Sequence, residues 1–456
     1  MDSQQSDSQS TTFTGTLARP PLMYRQWLLA GNRAKFFDTL ANDLGDFVHY
    51  RGLFSFYLVN HPSLVKQVLM ETHKSFDKNS VIYDRFRNAF GNGLVVAEGD
   101  RWRRARRLMQ PLFGPRAVEQ YFELMRDSAD QMAARWEPTC QAGQVLDVAS
   151  EMNHVTLQIA GRALFHDSFD EIAPQISHWT HIINLYSAKP PLPIIRSFWF
   201  PSRINRKLKQ ALAEFNEFLQ EMIQRRRESQ QSTDLISRLL AARDEETGQP
   251  LSDSEIAEEA LGMIIGGHET SSSALAWVWC ELDQHPDVRD KLHQELAEVI
   301  GDGPLQLEHV EQLVYTRMVI EEAIRLHPPF WFENRNVAAD AELGGVPIKK
   351  DSVVVFSRYS LHRHPGFWKD PERFNPERFR PGAEENKRSV YAYVPFGGGP
   401  RICIGIHFAI MELVVVLAVL ARRYKVMLDK SHRHEMAANL TMTPKYGVRA
   451  RLERRS

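Results

Sequence analysis

The chain has 456 residues, 43% hydrophobic and 25% charged, the composition of a globular protein long enough to bury a large core and enclose a cofactor. Lys and Arg total 56 against 57 Asp and Glu, and the resulting net charge of −1 excludes a general nucleic-acid binder. Three cysteines, Cys140, Cys280 and Cys403, are too few for a disulfide framework and fit a reducing compartment.

The N-terminus, MDSQQSDSQSTTFTGT, has neither the basic nor the apolar region of a signal peptide. Its Ser, Gln and Thr content predicts a disordered tail over 1–18, ahead of one folded domain over 19–456. Phe47-Val48-His49-Tyr50 and Ser55-Phe56-Tyr57-Leu58-Val59 read as short strands. From about 100 to 300 the pattern is dominantly helical. The stretch Lys189-Pro190-Pro191-Leu192-Pro193 joins two helices rather than two domains. Ser252 and Glu255 have capping-box spacing, and the helix they open runs to about Gln284, where Pro286 stops it. At 1.5 Å per residue this helix is roughly 45–50 Å long, enough to cross a whole domain. A helix over Val314–His327 ends at Pro328-Pro329, short strands fill 337–356, and a last helix covers Ile404–Arg422 before further strands. Helix dominates, and a minor sheet draws on both ends of the chain, giving a mainly α, α+β fold in one compact unit. No run of about 18 apolar residues predicts a transmembrane helix. Asn439-Leu440-Thr441 matches a glycosylation acceptor by chance if the protein is cytoplasmic.

The strongest local signal is Phe396-Gly397-Gly398-Gly399-Pro400-Arg401-Ile402-Cys403-Ile404-Gly405. Successive glycines open backbone conformations closed to other residues and clear side chains from a surface that something flat can approach. Cys403 stands just before a helix N-terminus, where the dipole and free N–H groups favour a thiolate. A thiolate facing a flat, glycine-lined surface is what a haem iron requires. A buried structural cysteine after a glycine turn is the plainer alternative. Zinc is another, since Cys403 and His407 are at i, i+4, but a second pair of ligands at suitable spacing is not evident.

The full pattern Phe-x-x-Gly-x-Arg-x-Cys-x-Gly, followed by Phe408, Ala409 and Glu412, resembles the cysteine loop of the cytochrome P-450 superfamily. Two further motifs precede it in the order that resemblance implies. Glu322-Ala-Ile-Arg325 places acid and base at i, i+3 on one helix face, and Pro376-Glu-Arg-Phe379 supplies Arg378. By resemblance Glu322, Arg325 and Arg378 form a desolvated network that braces the cysteine loop. Trp102 and Arg106, at i, i+4, offer an indole N–H and a guanidinium fork to carboxylates. The resemblance implies that Trp102, Arg106, Arg335 and Arg401 hold the propionates of a haem b, with Gly266, Phe396, Gly397 and Gly405 around it and Cys403 on the iron. Arg103, Arg104 and Arg107 form a basic face on which an acidic ferredoxin or flavodoxin, fed by an NAD(P)H reductase, is expected to dock.

Within the long helix, Gly266-Gly267-His268-Glu269-Thr270-Ser271-Ser272-Ser273 breaks helix rules in a cluster. Two interior glycines each cost about 1 kcal/mol, and four hydroxyl residues compete for the backbone. Close helix crossing is the structural explanation. The functional one is that the helix opens here to hold dioxygen. Gly-Gly-x-Glu-Thr is similar to the superfamily's acid–alcohol pair, with Thr270 holding a water and Glu269 relaying protons. This favours a monooxygenase over a peroxide-driven or non-redox haem-thiolate enzyme, and over a non-catalytic haem sensor. The candidate substrate-lining regions are about 82–95, about 181–200, the 261–270 helix face and the segment after Pro329. Phe86, Phe90, Ile265 and Phe330 suggest an apolar pocket for a terpenoid or fatty-acyl skeleton. The aromatic patch Ser197-Phe198-Trp199-Phe200 is a candidate membrane contact. A cytoplasmic monomer is expected.

Overall fold

Ser252 and Glu255 form the reciprocal bonds their spacing predicts. The Ser252 N–H donates to Glu255 Oε2 at 2.8 Å, and the Glu255 N–H donates to Ser252 Oγ at 3.3 Å. The helix they cap runs Asp253–Gln284, 32 residues or about 48 Å. The computed structural model describes residues 12–20, 32–52, 54–188, 198, 201–229, 234–244 and 248–455. They fall into two compact units, one within Met1–Ser80, Gln284–Leu292 and Val314–Cys403, the other within Val81–Asp283, His293–Leu313 and Ile404–Ser456. The Pro-rich stretch and most of the 197–200 aromatic patch lie outside the described residues; the flanking helices are Ala173–Ser187 and Arg203–Glu228.

The first unit is built on a five-stranded sheet. Its order is Phe47–Arg51, Ser55–Val59, Val353–Ser357, Phe332–Val337 and Phe76–Asp77. The pairing of Ser55–Val59 with Val353–Ser357 is parallel; the other three pairings are antiparallel. Strands nearly 300 residues apart in sequence thus share a core of Phe47, Val59, Leu64, Val354 and Phe356. The described residues include 12–20. Phe13 and Leu17 pack on this core, and the Phe13 N–H donates to Ser63 Oγ. Two apolar side chains suffice to hold a segment whose composition otherwise reads as disordered.

Helices dominate the second unit. Ile406–Arg423 starts two residues later than its pattern predicts, with Gly405 as its N-cap. From Leu413 to Ala421 every residue of this helix is buried, as a helix apolar all round must be. It packs along Phe122–Gln141. Trp136 of that helix meets Trp279 of the long helix and Tyr424, with ring centroids 6.4 and 5.8 Å away. A three-stranded sheet of Leu146–Asp147, Arg449–Arg454 and Tyr424–Leu428 closes one side. Among the described residues no helix is long and apolar enough to cross a membrane.

Candidate active site

The cysteine loop is held by its own backbone. Gly397 donates to the Val394 carbonyl, Ile402 to Gly399, and Cys403 to Phe396 at 2.9 Å. Gly397 and Gly399 have φ of 78° and 63°, a region glycine enters without strain. Gly399 is also pressed on the chain: a Cβ there would stand 2.0 Å from the Leu69 carbonyl oxygen. The outcome is a tight loop that leaves the Cys403 side chain exposed. Phe396 and Arg401 are half-buried beside it.

Below the loop lies the predicted charge network. Glu322 accepts from Arg325 Nε at 2.6 Å and Nη2 at 2.9 Å, from Arg378 Nε at 3.2 Å and from the Asn375 N–H at 2.8 Å. All three charged side chains are sealed from solvent. The spare guanidinium donors reach carbonyls of His362, Pro371 and Asp370. Arg325 thereby ties the helix Val314–Leu326 to His362, whose Nε2 accepts from the Val394 N–H at the root of the loop.

A second buried network was not visible in the sequence. Glu333 is paired with both Arg335 and Arg358. Burial pushes its carboxyl up, but Arg335, Arg358 and Lys78 outweigh burial and hold it at about 2. Arg358 Nε also donates to the Val394 carbonyl at 2.7 Å. Arg335 is therefore neither on the surface nor in a loop: it is buried on the strand Phe332–Val337. Phe330 is half-buried, while Trp331 turns into the core against Phe37.

In the second unit, Trp102 and Arg106 are half-buried on the helix Gly99–Met109. The expected basic face is smaller than predicted. Arg104 is drawn inward to Asp244 at 3.2 Å and Glu255 at 3.8 Å, while Arg103 and Arg107 stay exposed, Arg103 paired with the exposed Asp100. The cause is position: Arg104 is about 100° around the helix from Arg103, whereas Arg107 is one turn on. Phe86 and Phe90 are buried on Val81–Phe90, and Ile265 is buried on the long helix.

The segment around Gly266 departs from expectation in one respect. The helix does not open; it is continuous from Asp253 to Gln284. Instead, Thr270 Oγ1 donates to the Gly266 carbonyl at 3.0 Å, competing for the backbone acceptor. Gly266 is exposed between buried Ile265 and half-buried Gly267, and among the described residues nothing beyond its own helix backbone lies within 4 Å of where its Cβ would stand. Glu269 faces Asn184 and Thr441, and burial, only partly offset by those two hydrogen bonds, pushes its carboxyl up to about 7. Its Oε2 is buried without a partner among the described residues.

Residues 16–449 match the family model described as cytochrome P-450. The chain belongs to the cytochrome P-450 family. It is 35% identical over 388 residues to cyclooctat-9-en-7-ol 5-monooxygenase of Streptomyces melanosporofaciens, covering 84% of this chain and 82% of the relative. Pentalenene oxygenase of Streptomyces avermitilis is 32% identical over 98% of this chain and 99% of the relative. An ultra-long-chain fatty acid omega-hydroxylase of Homo sapiens is 30% identical, over 86% and 78%. This cytochrome P-450 is a haem-dependent monooxygenase that takes electrons from a redox partner and places an oxygen atom of dioxygen in a small molecule. Its residues fit the group the family implies. The Cys403 side chain is exposed at the end of a glycine-lined loop that leaves a flat group room to approach it. Among the described residues no three His, Cys, Asp or Glu side chains gather as a zinc site would require.

Proposed function

We propose that Cys403 is the thiolate ligand of a haem b, and that residues 19–456 act as one haem domain. The exposed Cys403 side chain at the end of a backbone-locked glycine loop carries this reading. Trp102, Arg106, Arg335 and Arg401 would hold the propionates; Phe396, Gly397, Gly405 and Gly266 would leave room for the macrocycle. The bound haem supplies the oxygen-activating chemistry. The chain's own part is to hold substrate and meter protons. Thr270, whose hydroxyl is seated on the Gly266 carbonyl, positions a water, and Glu269 carries a proton at neutral pH because burial keeps it from ionising early.

The substrate class follows from the relatives with the higher identities, one named for cyclooctat-9-en-7-ol and one for pentalenene. A cyclic terpenoid is favoured over a fatty acyl chain. Phe86, Phe90, Ile265 and Phe330 provide apolar surface for it. Arg103 and Arg107 offer the exposed positive charge for an acidic ferredoxin or flavodoxin reduced by an NAD(P)H reductase, in a cytoplasmic monomer.

The test is the visible spectrum of the dithionite-reduced protein under carbon monoxide. A strongly red-shifted Soret band, lost in Cys403→Ala, is the expected outcome. Haem-loaded, folded protein without that band would refute the thiolate assignment.

A further inference from the structure

Glu269 is held by two side chains from distant parts of the chain. Asn184 lies in the helix Ala173–Ser187, and Thr441 lies between the paired strands Met436–Ala438 and Met442–Pro444. Asn184 Nδ2 donates both to Glu269 Oε1 and, at 2.8 Å, to Thr441 Oγ1. Thr441 Oγ1 in turn donates to Glu269 Oε1 at 3.2 Å. Asn184 Oδ1 accepts the Leu440 N–H at 3.0 Å. A backbone N–H can only donate, so this last bond fixes which end of the amide is oxygen. The amide therefore presents N–H groups, and nothing else, to the carboxyl. The Thr441 loop is itself anchored: the Met442 carbonyl accepts from Trp277 Nε1 at 3.1 Å and from Ser273 Oγ, both on the long helix.

From this arrangement we propose that Asn184 and Thr441 are positioning residues for proton delivery. They pin Glu269 Oε1 as a pure acceptor, so that the proton resides on Oε2 and leaves from there. The inference rests on the reading of Glu269 as the proton carrier and adds the atom and the groups that select it. Its logic is saturation. Oε1 already receives two donors, so a proton placed on it would face N–H and O–H groups head-on. Among the described residues Oε2 is buried and has no hydrogen-bond partner, so it gains nothing as an ionised acceptor there. The neutral clamp differs in effect from an arginine or lysine at the same place, which would hold the carboxyl ionised and empty of its proton. Burial dominates instead, and the carboxyl sits at about 7.

Two readouts test this, one of them independent of turnover. The carbonyl stretch of protonated Glu269 is identified at mildly acidic pH as the infrared band lost in Glu269→Gln. If Oε1 is the carbonyl oxygen and carries both donors, Asn184→Leu and Thr441→Val each move that band to higher frequency. Haem loading and the carbon monoxide spectrum stay unchanged. In turnover with a surrogate ferredoxin and reductase, and pentalenene as the hydrocarbon probe, hydrogen peroxide per NADPH rises in both variants. The loss of one donor to a carboxyl changes the balance by about tenfold. Asn184→Asp, which keeps the shape and the Leu440 bond but replaces the donor by an acceptor, also raises peroxide. A band left in place in both Thr441→Val and a folded Asn184→Leu overturns the clamp. A moved band with peroxide unchanged in those variants, while Glu269→Gln raises it, overturns the role in delivery. Peroxide unchanged in Glu269→Gln itself refutes the proton-carrier reading on which the inference stands, and the band still reports on the clamp.

Discussion

Replacing Glu333 by glutamine tests the electrostatics of the cysteine-loop support most directly. The carboxyl is buried between two guanidiniums and held at about 2, against an ordinary value of 4.5. At 1.36 kcal/mol for each tenfold change in proton affinity, that difference corresponds to about 3 kcal/mol of stability at neutral pH. The sign follows from which state takes the proton first. As pH falls the unfolded chain protonates near 4.5 while the folded one resists until about 2. The contribution is complete above about pH 5, declines through that window, and is gone near pH 2. Glu333→Gln keeps the shape but removes the charge, leaving Arg335 and Arg358 facing each other across a neutral amide. Guanidinium chloride unfolding of the haem-loaded protein and the variant, repeated from pH 7 to about pH 2.5, should show a gap of about 3 kcal/mol that closes on acidification. A gap of the same size at pH 7 and pH 3 would assign the loss to packing rather than charge. No gap at pH 7 would refute the ion-pair account altogether.

Glu322→Gln should cost roughly 3–5 kcal/mol by the same unfolding measurement, because it leaves Arg325 and Arg378, both sealed from solvent, without their carboxylate. Asp340→Asn, which breaks the fully exposed pair with Lys349, should leave the midpoint where it is. Thr270→Ala should keep the haem spectrum while diverting reducing equivalents to hydrogen peroxide, and unchanged coupling would remove Thr270 from proton delivery. Arg103→Glu with Arg107→Glu should raise the apparent KM for a ferredoxin at low ionic strength, with the difference fading as salt is added. No effect at low salt would move the docking surface elsewhere.

What could be read from the sequence is what is local in it. The long helix announces itself through Ser252, Glu255 and Pro286, because caps and stops act within a turn. Glycine spacing fixes the cysteine loop for the same reason, although the helix starts at 406 rather than 404. Glu322, Arg325 and Arg378 were legible only through resemblance, since a lone i, i+3 pair carries little information. Asn184 and Thr441 stand 85 and 172 residues from Glu269, and no periodicity marks either. Arg104 misled in the opposite direction: composition placed it in a basic face, and two carboxylates brought close by folding took it out.

The buried carboxyls differ in their partners, and their proton affinities differ accordingly. Glu322 and Glu333 each face two arginines, and the pair around Glu333 holds that carboxyl ionised. The long helix and its neighbour use the same residue type the other way. Burial pushes Glu412 up to about 8 with the Ser271 hydroxyl only partly offsetting it, and Glu269 up to about 7 against an amide and a hydroxyl. Among the described residues neither has a guanidinium to hold it ionised. Glu259 is intermediate: burial raises it to about 7, and the Leu94 N–H and Arg101 pull it back without prevailing. A carboxyl locked at about 2 cannot exchange a proton near neutrality, whereas one poised at about 7 can both hold and yield it. Two guanidiniums on Glu333 outweigh its burial, whereas the single Arg101 beside Glu259 does not.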